Sequence, residues 1–239
     1  VSINNKLIIF CTTGFIIILS IIGISRLEVE NSFINYFNKD TEIYKGMKLI
    51  DEKLGGTTPL EVILKFKDNE IQSDQDDEFG DWGDEENQDN DKYWFTKDKV
   101  DKIEKVHSYL NSLPEVGKVL SFSSILQVAT QLNNDKPLGT LEMGVLYTKI
   151  PDTIKKEIID PYISIEDNEA RINLRIKDSQ KNLRRNDLIN KINFDLENKL
   201  KLKKDEFKLG GVLILFNNLL QSLFKSQILT LGFVMIGIF

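Results

Sequence analysis

Residues 162–176 read YISIEDNEARINLRI, and the second half of that stretch decides the fold. Ala170, Ile172, Leu174 and Ile176 alternate with Glu169, Arg171, Asn173 and Arg175. A period of two with one apolar row is the pattern of a strand that buries one face. Asp167 and Asn168 form a turn pair that divides the stretch into a hairpin. Toward the C-terminus, residues 187–200 place Leu188, Ile192, Leu196 and Leu200 four apart, which predicts a helix, and residues 207–212 make a last short strand.

Toward the N-terminus the same alternation of periods continues. Residues 116–122 follow Pro114 and read as a strand, and residues 97–112 as a helix capped by Thr96, with Val100, Ile103, Val106 and Leu110 inward. Leu60, Val62, Leu64 and Phe66 form the buried row of a strand just after Pro59. Residues 41–54 predict a helix with Asp40 as its cap, Ile43, Met47, Ile50 and Leu54 as a buried stripe, and Gly55-Gly56 as its stop. Short helices are expected at 123–132, 140–147 and 152–158, punctuated by residues 133–135 and 137–139. The order strand, helix, strand, insertion, strand, helix, strand implies an α+β domain. Its expected form is a split β-α-β, ferredoxin-like arrangement with helices on one face of the sheet.

Apolar runs flank this domain. Residues 7–24, LIIFCTTGFIIILSIIGI, are uncharged, with Lys6 and Arg26 beside them. At 1.5 Å per residue such a helix spans about 27 Å, close to the roughly 30 Å of a bilayer core. Thr12, Thr13 and Ser20 can return their hydroxyls to helix carbonyls and are tolerable in lipid. A cleaved signal peptide would have a shorter apolar region and a small-x-small site, which the residues after 24 lack. Residues 228–239, ILTLGFVMIGIF, are also uncharged but too few to span. Residues 213–227 place Leu213, Phe216, Leu220 and Phe224 on one side and read as an amphipathic approach helix. The chain starts at Val1 and stops at Phe239 inside an apolar run, so a fragment of a longer multi-pass protein is expected. Lys6 on the short flank favours a cytoplasmic N-terminus and an extracytoplasmic domain.

The formal net charge of −6 comes from one window. Residues 68–92 hold twelve acidic groups and one lysine, which leaves 25 acidic against 30 basic residues elsewhere. Such a window buries too little apolar surface to order itself and is expected to be a solvated, disordered insertion. A calcium loop needs oxygen ligands around a glycine at its sixth position, and neither Gly80 nor Gly83 gives that register.

Most enzyme chemistry lacks its residues. His107 is the only histidine and Cys11 the only cysteine. A zinc site of the usual kind cannot be built, and no Ser-His-Asp set is identifiable. His107 is expected on an exposed helix surface among Lys and Glu. Gly55-Gly56-Thr57-Thr58 lacks the Lys-Ser/Thr pair and following helix of a phosphate loop. Arg184-Arg185 has no aromatic stacking partners and reads as a solvated helix start, so no nucleic acid is expected. No catalytic, cofactor-binding or metal-binding residue is assigned, and no cofactor is expected. Proton-driven transport would need ionisable groups within membrane helices, and neither apolar run has one.

Glu30-Asn31-Ser32-Phe33, Tyr36-Phe37 and Gly55-Gly56-Thr57-Thr58-Pro59 resemble the junctions that follow the first transmembrane helix in exporters of the resistance-nodulation-division superfamily, MMPL-like branch. The glycine pair before Val212 and residues 221–227 resemble its approach to the second membrane helix. The acidic insertion departs from the family's pattern. The resemblance implies a proton-driven exporter of hydrophobic or amphiphilic, lipid-like molecules, with ferredoxin-like porter units and about twelve membrane helices. It implies partners in the lipid bilayer and the cargo, a homo-oligomer, and a place in the inner (cytoplasmic) membrane.

The expected map is residues 1–26 for a first transmembrane helix with its flank, and 27–58 for a connecting segment and helix. Residues 59–212 form the extracytoplasmic porter domain with its acidic insertion at 68–92, and 213–239 an approach helix and the truncated start of a second transmembrane helix. A two-helix membrane receptor with an extracytoplasmic sensor explains the same layout without the glycine-rich junction. A non-transporting membrane scaffold also remains open.

Overall fold

The computed structural model describes residues 6–25, 34, 37–67, 94–180 and 183–238. The acidic window 68–92, the Glu30-Asn31-Ser32-Phe33 motif and Tyr36 lie outside the described residues. The elements in chain order are α1 (Lys6–Ser25), α2 (Glu42–Lys53), β1 (Thr58–Lys65), α3 (Lys97–Asn111) and β2 (Val116–Leu120). Then come α4 (Phe122–Leu132), α5 (Thr140–Lys149), α6 (Asp152–Ile158), β3 (Ile163–Ser164), β4 (Glu169–Ile176), α7 (Arg185–Asn198), β5 (Phe207–Gly210) and α8 (Val212–Ile238). The chain divides into two compact units, Ser32–Leu219 and Val1–Asn31 with Leu220–Phe239.

The larger unit is α+β, built on an antiparallel sheet in the order β2-β4-β1-β5, with β3 as a short hairpin partner of β4. The alternation read in the sequence sets the two faces. Leu60, Val62 and Leu64 of β1 and Ala170, Ile172, Leu174 and Ile176 of β4 are buried. They share one core with Val100, Ile103, Val106 and Leu110 of α3 and Leu188, Ile192 and Leu196 of α7. The opposite row, which includes Glu61, Ile63, Arg171, Asn173 and Arg175, is at least partly exposed. The helices therefore cover one face only. The turn between β3 and β4 falls at the expected pair, with Asn168 at φ 52° and the Ser164 hydroxyl bonded to Asp167.

Several expectations are corrected at the element ends. The cap of α2 is Thr41, whose Oγ1 accepts the amide of Tyr44 at 3.3 Å; Asp40 instead bonds through its amide to Asn38 in the preceding turn. The stripe Ile43, Ile50 and Leu54 is not buried: these residues are 57%, 39% and 61% exposed, and Asp51 is the one buried residue of α2. The helix is docked by a polar joint at its C-terminal end rather than by its apolar stripe. Thr96 sits at the cap of α3 without making a side-chain capping bond. The last strand ends at Gly210, not 212, because Gly211 at φ 94° turns the chain directly into α8.

Gly55 and Gly56 stop α2 as expected, and the space around Gly56 explains why only glycine serves. Its φ is 105°, and a Cβ there would lie 2.5 Å from the carbonyl oxygen of Ile176. Gly117 sits at a register shift of β2 against Gly55 with equally little room. These contacts fasten the end of α2 to the sheet edge.

The expected approach helix and the apolar run after it form one unbroken 27-residue helix, α8. Among the described residues it is the one helix long and apolar enough to cross a membrane; α1 holds a shorter apolar stretch, Ile9–Ser20. The hydroxyls of Thr12 and Thr13 bond to Ile9 O within α1 as expected, and Thr230 bonds in the same way to Ser226 O within α8.

Candidate functional site

Four side-chain clusters and one groove are the candidate sites among the described residues. The first cluster is the joint at the end of α2. Asp51 is fully buried, and its Oδ1 accepts the Thr57 amide at 2.9 Å, the Thr57 hydroxyl at 2.7 Å and the Asp178 amide at 2.9 Å. Its Oδ2 accepts the Ser179 amide at 2.8 Å. Burial pushes the carboxyl up, but the hydrogen bonds from Ser179, Thr57 and Asp178 outweigh it and hold Asp51 below the ordinary carboxylate value. Asp178 in turn pairs with Arg185, and its Oδ2 accepts the amide of Ile34. The joint thus ties the segment that follows α1, the end of α2 and the β4–α7 loop to one point. Arg185 is buried here, which corrects its reading as a solvated helix start; Arg184 beside it is exposed. The joint's carboxylate oxygens are occupied by the protein's own donors, so its chemistry is cohesion rather than catalysis.

The second cluster corrects the reading of His107. It is buried at 6% exposure, because α3 buries a stripe widened by one position and brings the ring over the start of α4. His107 Nδ1 lies 2.9 Å from the hydroxyl of Ser121, and that hydroxyl also accepts the amide of Ser123 as the cap of α4. Burial lowers the His107 pKa, opposed by Glu104. A serine beside a histidine suggests a nucleophile, but Ser121 is wholly buried and no carboxylate completes the set among the described residues. The pair is a helix lock.

The third cluster joins the two covering helices. Tyr109 of α3 donates to Asp195 Oδ2 of α7 at 2.7 Å, and Lys199 reaches the same oxygen at 2.9 Å. Burial and the neighbouring carboxylate push the Tyr109 hydroxyl well above its ordinary value. Burial also raises Asp195, but Lys199 and Tyr109 outweigh it and its carboxyl is lowered.

At the mouth of the acidic window, Phe66 and Trp94 meet edge to face at 5.7 Å. Asn168 accepts from the Trp94 indole at 3.0 Å and from Lys99 at 2.7 Å, and donates to Phe66 O. The two strands of chain that enter and leave the window are thereby held side by side.

The groove, unlike the clusters above, presents open surface. It lies between α7 and the edge strand β5, with a volume of about 380 Å³ and a floor of Ile189, Phe207, Leu209 and Ile214. Nothing in the sequence singled it out, because it arises from a sheet edge meeting a helix. Asp51 was missed as well, although a buried-to-be acid in the last turn of a helix runs against the helix dipole and is a signal in itself. Among the described residues no group of His, Cys, Asp and Glu could hold a metal ion. No protein-family model, no curated protein and no solved structure matches this chain.

Proposed function

We infer that this chain is part of a proton-driven exporter of the resistance-nodulation-division type, MMPL-like branch, and supplies its first porter domain between two membrane helices. The observation that carries the reading is the sheet order. With β1, β2, β4 and β5 as principal strands, the order is second, third, first, fourth, all antiparallel. Each strand-helix-strand unit leaves a gap that a strand of the other unit fills, which supports a split β-α-β, ferredoxin-like reading. The resemblance of the glycine-rich junction at residues 55–59 points to the same family.

Two further features support the reading. A single residue, Gly211, joins β5 to α8, so a shift of the helix is passed to the sheet without a flexible linker. Large apolar side chains stand exposed on α2, α4 and α6, among them Leu49, Val128, Leu132 and Ile154, as suits contact with amphiphilic cargo or with further domains. The domain contributes shape and apolar surface, not bond chemistry. Carboxylates that relay protons belong in this reading to other membrane helices, and the protein works as a homo-oligomer in the cytoplasmic membrane with this domain outside.

The test is the product of the complete reading frame in proteoliposomes loaded with a fluorescent lysolipid. Extrusion that requires an imposed proton gradient and stops with a protonophore is expected; lipid that stays put with and without the gradient overturns the reading. The unbroken α8 also favours a second reading, a two-helix receptor in which that helix passes a piston shift inward. A reading frame with only two membrane helices and a soluble signalling region would select it.

A further inference from the structure

We propose that the outer edge of β5, with the groove beside it, docks an extended acidic strand of another protein, which adds itself to the sheet. β5 is the last strand of the sheet. Its register with β1 pairs Lys208 with Ile63 and Gly210 with Glu61, and the Lys65 amide donates to Glu206 O at 2.8 Å. Hydrogen-bonded pairs alternate along an antiparallel ladder, so residues 206, 208 and 210 face β1. The amides and carbonyls of Phe207 and Leu209 therefore point to the open edge. Neither residue has a further hydrogen bond on that side among the described residues.

The side chains of these same two residues point to the helix layer, where they form the groove floor with Ile189 and Ile214. An added strand finds backbone partners and an apolar slot at the same residues, which is the geometry of strand addition. Its side chains alternate. One set enters the slot; the other set lies on the open sheet face, in the row Arg171–Ile63–Lys208.

Charge selects the occupant. Residues 199–208 hold five lysines against Asp205 and Glu206. Lys199 pairs with Asp195 and Lys204 with Glu197, while Lys201, Lys203 and Lys208 have no ion pair among the described residues. A second copy docked edge to edge would bring its own lysines against these and is disfavoured. An alternating apolar–acidic strand is favoured. The competing view is that Lys208 merely guards an edge against pairing, as lysines on edge strands do. The proposal does not depend on the exporter reading.

The test uses the full chain in micelles of a neutral detergent and a fluorescein-labelled eight-residue peptide that alternates glutamate and valine. A lysine–valine peptide is the control. Anisotropy should report at least about ten-fold tighter binding of the acidic peptide, weakening with salt. Leu209→Pro removes one outward amide and one floor side chain and leaves the β1 ladder whole, so it should weaken binding by about ten-fold or more, with a small drop in the thermal unfolding temperature. Lys208→Glu should reverse the preference between the peptides. Should Leu209→Pro unfold the protein, a peptide methylated on alternate amide nitrogens should show the same loss. The proposal is overturned if the peptides bind equally or not at all, if backbone methylation changes nothing, or if cross-linking finds a second copy at this edge.

Discussion

Asp51 shows how much a single side chain can organise. A carboxylate that accepts four donors, two of them amides from the β4–α7 loop, does the work that an apolar stripe was expected to do. Asp51→Ala strands those donors in a buried site, and about 3–5 kcal/mol of stability should be lost. Asp51→Asn keeps the shape but sets an NH2 group against a donor, and about 2 kcal/mol is expected to go. The pH sign follows from the lowered pKa. The unfolded chain binds the proton more tightly than the folded one, so the contribution is complete above the ordinary value of 3.8 and is lost as pH falls through the folded value. Urea unfolding measured from neutral pH down into the acid range should show this loss in the wild type and a flatter acid limb in Asp51→Asn. Equal acid limbs in the two proteins would show that Asp51 is not held as described.

At the scale of elements, the two covering helices meet through Tyr109 and Asp195 as well as through their apolar stripes. Tyr109→Phe should cost about 1.5 kcal/mol, at the low end for a bond to a charged group because Lys199 still satisfies Asp195. Combined with Asp195→Asn, the two losses should fall short of additivity by about 1 kcal/mol in thermal unfolding. Full additivity would mean that the hydroxyl contributes nothing to holding α3 against α7. The stripes of α3 and α7 were legible because each alternates with charged residues at helical spacing, and β1 and β4 were legible because one face of the sheet is buried and the other is wet. The α2 stripe misled, since spacing reports that a helix is amphipathic and not what covers it. His107 misled for the opposite reason: its lysine and glutamate neighbours lie around the helix, while the ring itself points at Ser121. The joint was legible only as an acid set against a helix dipole, and the groove not at all. The joint depends on residues far apart in sequence, 127 positions in the bond between Asp51 and the Asp178 amide, and the groove on a sheet edge that meets a helix only in the folded chain.

At the scale of the whole molecule, the question is what solvent the two apolar helices meet. Along α1, Phe10, Phe15, Ile16, Ile17, Ile18 and Leu19 are exposed all round the helix, which has no polar face to turn to water. Helix α8 is 27 residues long, about 40 Å at 1.5 Å per residue; Leu213 and Asn217 near its start are buried, and its last charge is Lys225. Its hydroxyl at Thr230 is satisfied within the helix, as lipid demands. Cys11 makes the reading testable without any insertion of new probes, because it is the only cysteine and lies exposed on α1. In water an exposed thiol reacts with a charged maleimide at once; in a bilayer core the reagent cannot reach it. In sealed vesicles Cys11 should stay unmodified until detergent and denaturant are added. In a Cys11→Ala background, Lys136→Cys on the exposed loop after α4 should react without detergent, and from one side of the membrane only. Rapid labelling of Cys11 in intact vesicles, or release of the protein by alkaline carbonate, would place α1 outside the bilayer and remove the ground for an exporter.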